Sequence, residues 1–154
     1  MLREMRKKER SINISEAIEI LNKGQYGILS VITNEGYPYG VPINYVYMNN
    51  CIYFHCAMEG HKLDSTKLNN NVSFCVVGKT ELLPNKFSTK YESVIVFGKA
   101  FEVLNEEKIT ALSAFVDKYS KEFKDAGDKY IKNSNNRTKV IKINIEHISG
   151  KARR

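Results

Sequence analysis

His55 interrupts an otherwise apolar run, Cys51-Ile52-Tyr53-Phe54-His55-Cys56-Ala57, and His61 follows directly after Glu59-Gly60. Imidazole exchanges a proton near neutral pH and can orient a ligand through either ring nitrogen. Two of the chain's three histidines therefore fall within one strand–turn–helix unit. Gly60-His61-Lys62 stands where the helix begins. Free backbone N–H groups, the helix dipole, a glycine that permits close approach and the Lys62 ammonium together suit an anion such as a phosphate monoester. Ser65 and Thr66, one turn further on, would add hydroxyls. Upstream, Asn44 offers an amide, while Tyr37, Tyr39, Tyr45 and Tyr47 offer flat amphipathic surface. A planar heterocycle with a phosphate tail would use strand backbone along its edge and a helix N-terminus for its tail. Ordinary alternatives stay open for each feature: a half-buried histidine bonded to a neighbouring strand, a solvated helix start, and aromatic pairing across strands.

These residues need a scaffold, and the hydrophobic pattern supplies one. "SEAIEILNKG" predicts a short helix, capped by Ser15 and stopped at Gly24. "YGILSVIT", "YPYGVPINYVYM" and "CIYFHCA" predict three strands separated by the tight turns Asn34-Glu35-Gly36 and Asn49-Asn50, hence an antiparallel meander. Pro38 and Pro42 exclude helix and point to a bulged or edge position. In the third strand Ile52, Phe54, Cys56 and Met58 should face the core, with Cys51, Tyr53, His55 and Ala57 on the opposite, partly polar wall.

A helix over about 61–70 precedes a fourth strand, "NVSFCVVG", and then a long one, "YESVIVFGKAFEVL", bent or bulged at Gly98. The stretch 105–125 has the best helical pattern, with Asn105 as cap and Ile109, Leu112, Val116, Tyr119 and Phe123 as its apolar stripe. The polar, Asn-rich segment 125–138 reads as a flexible loop, and "KVIKINIEHIS" as the sixth strand. Six mostly antiparallel strands with peripheral helices define a mainly β, α+β fold: a small barrel forming one domain over residues 1–154.

The net charge of +7 looks like an argument for an acidic partner until it is placed. Residues 1–10 carry net +3 and residues 150–154 another +3, so the body is nearly neutral. Solvated basic tails fit this better than a nucleic-acid or membrane surface. No stretch is long enough to cross a bilayer, and the charged start lacks an apolar signal core, so a cytoplasmic protein is expected. Cys51, Cys56 and Cys75 are odd in number and form no C-x-x-C, which suits free thiols rather than disulfides or a zinc site.

The ordered segments "YGILSVITNEGYPYGVPINYVY", "IYFHCAMEGHKLD", "VSFCVVG" and "KYESVIVFGKA", closed by "IEHISGKA", resemble the FMN-binding split-barrel family related to pyridoxamine 5′-phosphate oxidase. Within it they are most similar to the branch containing the 5-nitroimidazole resistance (Nim) proteins, over roughly residues 3–152. The resemblance implies a six-stranded split barrel, a homodimer, and FMN in a cleft at the subunit interface. It assigns the FMN phosphate to His61 and Lys62, with Gly60 beside them. It assigns the ring to Pro42, Ile43, Asn44 and Tyr45, with His55 and Ala57 nearby and Ser93 on the strand that completes the cleft. His55 matches the position of the active-site histidine proposed for Nim proteins. The arginine and C-terminal substrate residues of true pyridoxamine-phosphate oxidases are not apparent. The function expected is therefore an FMN-dependent oxidoreductase acting on a small planar acceptor such as a nitroaromatic, or else a flavin- or ligand-binding protein without turnover.

Overall fold

The computed structural model describes residues 2–154. The chain runs β1 (Ser11–Ile12), α1 (Ile14–Lys23), β2 (Gly27–Ile32), β3 (Pro38–Ile43), β4 (Val46–Met48) and β5 (Cys51–Ala57). It continues with α2 (His61–Leu68), β6 (Asn71–Leu83), β7 (Ser88–Val103), α3 (Asn105–Tyr119), α4 (Lys124–Ser134) and β8 (Thr138–Arg153). One antiparallel sheet has the order β3-β2-β6-β7-β8-β5-β4, and β1 pairs with β8. This is a split barrel with eight strands among the described residues, where the sequence pattern gave six. The two extra strands are the short β1 and β4.

The expected meander is broken at Asn44-Tyr45. β2 pairs with β3 and β4 with β5, but β3 and β4 lie at opposite ends of the sheet order. Tyr45 makes the crossing by burying its ring completely in the core, where it packs edge-to-face on Phe74 with ring centroids 4.9 Å apart. Pro38 and Pro42 sit on β3, whose outer edge needs no donors. Asn49 and Asn50 both adopt positive φ, 53° and 57°, as a two-residue hairpin turn requires.

Two caps differ from expectation. Asn13, not Ser15, caps α1: its Oδ1 accepts the Glu16 N–H at 2.9 Å while Glu16 accepts the Asn13 N–H at 3.3 Å. Asn105 is the first residue of α3 in a left-handed conformation, and its side chain makes no cap bond.

The segment 125–138 is not a loop; most of it is α4. Its polar residues face water, and the buried Ile131 anchors it beside α3. Gly127 allows the helices to approach, since a Cβ there would stand 2.6 Å from Val116 Cγ1. The C-terminal basic stretch is likewise not a free tail, because β8 runs through it to Arg153.

The main core gathers Leu21, Leu29, Phe54, Phe74, Val96 and Ile143 between α1 and the concave side of the sheet. A second cluster, including Val46, Tyr53, Leu112, Phe115 and Ile131, fills the space between β5 and α3–α4. The two faces of β5 thus serve two cores. Ile52 and Phe54 enter the first as expected, whereas Met58, beyond the strand, is exposed. All three cysteines are free, and among the described residues no helix is long and apolar enough to cross a membrane.

Candidate functional site

α2 starts at His61 behind Gly60, and nothing lies within 4 Å of where a Gly60 side chain would begin. No side chain caps the first turn of α2. His61 is exposed and stands edge-on to Tyr39 of β3, centroids 4.9 Å apart. That contact joins the sheet edge to the helix start. Lys62 is half-buried, and its charge is felt at His55 and Cys56 on β5. Ser65 and Thr66 do not add donors: both are buried, and their hydroxyls donate to the carbonyls of His61 and Leu63 in their own helix. A short helix satisfies its inner hydroxyls locally before any ligand arrives.

His55 faces away from the main core, towards α3. Its ring meets Phe115 edge-to-face at 4.7 Å, in a cavity of about 220 Å³ that Asn44, Tyr119, Tyr130 and Ile131 also line. One edge of His55 stays open to solvent, yet its pKa is lowered, first by burial and then by the Lys62 charge. At pH 7 the imidazole is neutral, able to donate from one nitrogen and accept at the other.

The other residues named from sequence are dispersed. Pro42 is exposed on the outer face of β3, while Ile43 packs towards the core, so a flat ligand would meet their backbone rather than both side chains. Tyr45 is likewise available only through its backbone, since its side chain is fully buried and its hydroxyl donates to the Leu21 carbonyl. Ala57 ends β5 opposite Thr138. Ser93 stands apart: β2 and β6 separate its strand from β3, a span of about 14 Å.

Sequence reading missed the role of α3. Tyr119 sits in an apolar stripe, but its hydroxyl accepts the Tyr45 N–H at 3.1 Å and donates to the Gln25 carbonyl at 2.6 Å. Lys118 Nζ donates to the Tyr45 carbonyl at 2.9 Å and lies 3.9 Å from the Tyr45 ring centre. Burial lowers the Lys118 pKa to about 8. α3 thereby holds the Asn44-Tyr45 crossing in place and forms the wall opposite His55. Tyrosine among aliphatic stripe positions was the available signal, because its ring can pack while its hydroxyl reaches a polar partner.

The convex side of the sheet carries exposed Ile32, Val77, Ile95 and Phe97 with half-buried Ile28 and Cys75. Register places Cys75 between Ile28 and Ile95. Contiguous apolar surface of this kind marks an interaction face. Ser93 lies at its margin, between Val77 and Lys151.

A single-sheet split barrel with a helix start and a histidine cavity at its edge defines the class. Residues 13–152 match the family described as pyridoxamine 5′-phosphate oxidase, and the chain belongs to that family. Among solved structures it is similar to a candidate 5-nitroimidazole antibiotic resistance protein of Bacteroides thetaiotaomicron, at 26% identity and TM-score 0.75, covering 92% of this chain and 86% of that one. The fold is shared with an FAD-binding protein of Mesorhizobium loti, at 22% identity and TM-score 0.69, covering 94% and 98%. It is shared too with the heme storage protein of Vibrio cholerae, at 12% identity and TM-score 0.66, covering 88% and 92%. No curated protein matches the chain by sequence.

Proposed function

We propose that the chain is an FMN-dependent oxidoreductase which, as a cytoplasmic homodimer, reduces a small planar acceptor such as a nitroaromatic. The observation that carries this reading is the cavity of about 220 Å³ beside neutral His55, bordered by the same Asn44 that belongs to the ring-binding segment. Its size suits one small aromatic molecule, and Phe115 and Tyr130 supply flat walls. Membership of the pyridoxamine 5′-phosphate oxidase family and the fold shared with an FAD-binding protein support a flavin.

The donor set fits a flavin's phosphate: an open helix start at Gly60-His61, the Lys62 ammonium, and His61 braced by Tyr39. FMN, when bound, supplies the redox chemistry. Asn44 would hydrogen-bond the ring edge, with the backbone of Pro42, Ile43 and Tyr45 along it and Ala57 at the end of β5. Ser93 cannot reach this site from the same chain, so the partner's convex face would supply it. His55 holds a proton on one imidazole nitrogen and presents it to the acceptor; Phe115 fixes the ring's tilt.

Lys62→Ala is expected to weaken FMN binding about 10–100-fold with the fold intact, the worth of a charge-assisted phosphate contact. Unchanged affinity in a fluorescence-quenching titration removes Lys62 from the site. His55→Ala is expected to retain FMN but slow nitroaromatic reduction by about 10²-fold or more, in the range of a lost acid–base group. An unchanged rate in anaerobic stopped-flow leaves His55 a structural residue.

The same variant carries a pH signature. The folded pKa of His55 lies below the unfolded value, so the unfolded chain binds more protons in the window between them. Stability is therefore lost as pH falls below about 6.5. Urea midpoints compared at pH 7.5 and 5.5 should fall less for His55→Ala than for the unaltered protein.

A further inference from the structure

The chain's two basic ends meet. Ser11 pairs with Lys151 and Ile12 with Gly150, which sets Arg10 beside the last strand. That strand continues to Arg153, which pairs with Tyr91 on β7. On the other side of Tyr91, the β6–β7 ladder shifts register between Val77 and Thr80. The result is a cleft of about 540 Å³ lined by the cations Lys79, Lys90, Arg153 and Arg154, by Tyr91, and by the carboxylates Glu81 and Glu92.

Both of those carboxylates already have a partner. Glu81 faces Lys90 at 3.7 Å, and the Glu92 carboxylate accepts the Lys79 backbone N–H at 3.2 Å. Arg154 pairs with Glu16 at 3.1 Å. Among the described residues, the side-chain cations of Arg10, Lys79, Lys151 and Arg153 have no carboxylate within 4.0 Å. Of these, Lys79 and Arg153 line the cleft with Tyr91, while Arg10 and Lys151 approach Tyr91 from outside its lining. Burial acts to raise the Tyr91 pKa, but hydrogen bonds and charge from Arg10 and Lys151 prevail and lower it. Lys151 Nζ lies 5.9 Å from its ring centre.

We propose that this cleft is a binding site for a nucleotide carrying two or more phosphate groups, separate from the phosphate site at Gly60–Lys62. Arginine forks and lysine ammonium groups at the cleft match phosphate oxygens, and Tyr91 offers a flat surface for a base. A cleft of this volume takes a nucleotide-sized ligand. Nucleic acid is disfavoured because an extended backbone needs a basic track, and outside the two ends the chain is nearly neutral. The cleft uses the ends of β6, β7 and β8, away from the flavin phosphate's place at α2, although Ser93 of β7, proposed to reach the partner's flavin, stands only two residues from Tyr91.

The test is calorimetric titration of the full-length protein, with and without added FMN, using adenosine 2′,5′-bisphosphate at low salt. Binding in both forms is expected, weakened about tenfold or more in Lys79→Glu/Arg153→Glu, with FMN affinity unchanged. Absence of binding, or binding unaltered by the double reversal, overturns the proposal. Loss of FMN affinity in that variant overturns it too, by assigning the cleft to the flavin. Equal binding of inorganic pyrophosphate denies the base a role, and tighter binding of a single-stranded oligonucleotide assigns the patch to nucleic acid; either result also overturns it. If the protein takes up no FMN but binds the bisphosphate through Lys79 and Arg153, the cleft stands and the flavin reading fails.

Discussion

Ile95→Asp is expected to yield a folded monomer that no longer retains FMN. Ile95 lies on the convex face of the sheet, between Cys75 of β6 and Ser149 of β8, and is 41% exposed in the single chain. Its neighbours Val94 and Val96 point the other way and are fully buried, so the core does not depend on its side chain. In a two-fold interface, every substitution is made twice and meets its own symmetry mate or near neighbours. Two carboxylates desolvated among Val77, Phe97 and Ile28 would cost several kcal/mol, enough to dissociate a standard interface. Ser93 would then be lost from the opposite side of the cleft, and flavin affinity with it. Light scattering should give the mass of one chain, with far-ultraviolet circular dichroism unchanged. A variant that remains dimeric and yellow would move the interface to another face; a monomeric unaltered protein that binds FMN would dispense with the dimer altogether.

That face was not visible as such in the sequence. Strand alternation identifies two sides, but outward Ile28, Val77, Ile95 and Phe97 are as apolar as inward Leu29, Val76, Val94 and Phe74. Periodicity alone cannot say which side is buried within the chain and which waits for a partner. β5 was readable because its two sides differ: Ile52 and Phe54 on one, His55 on the other. The start of α2 was readable because glycine, a change of period and a cation coincide at residues 60–62.

The crossing at Asn44-Tyr45 was not. Tyr45 continues the alternation of the preceding strand, and only the long-range bonds from Tyr119 and Lys118 reveal that the chain leaves one sheet edge for the other. α4 was hidden for the opposite reason. Its polar sequence needs little burial, because one isoleucine and one glycine suffice to dock it on α3. The cavity beside His55 depends on both features, so its walls were illegible although the histidine itself was conspicuous.

Gly98→Ala tests the device that gives β7 and β8 their reach. Glycine here was expected to mark a bulge, and the ladder does shift register: Phe97 pairs with His147, but Gly98 pairs with Ile145. Glu146 is thus the extra residue on β8. Its insertion changes which residues of β8 face inward. Before it, Ile141, Ile143 and Ile145 point to the main core; after it, Ile148, Gly150 and Ala152 do. Without that switch the last third of the strand would turn Lys151 and Arg153 inward, and neither the α1 packing nor the basic cleft could form. The bulge is possible because Gly98 lets the strands close: a Cβ there would stand 2.1 Å from the Asn144 carbonyl oxygen and 2.9 Å from Ile143 Cγ2. Backbone on the partner strand cannot swing aside as a side-chain tip can. Overpacking of this kind costs about 1–3 kcal/mol, which for a chain of this size lowers the melting temperature by roughly 3–12 °C. Gly40→Ala is the control, since its added Cβ would meet Ile28 Cγ2 at 3.4 Å, an ordinary contact. If calorimetry finds the two variants equally stable, the register shift does not depend on the missing side chain, and the bulge must be held by the apolar switch at Ile145 and Ile148 instead.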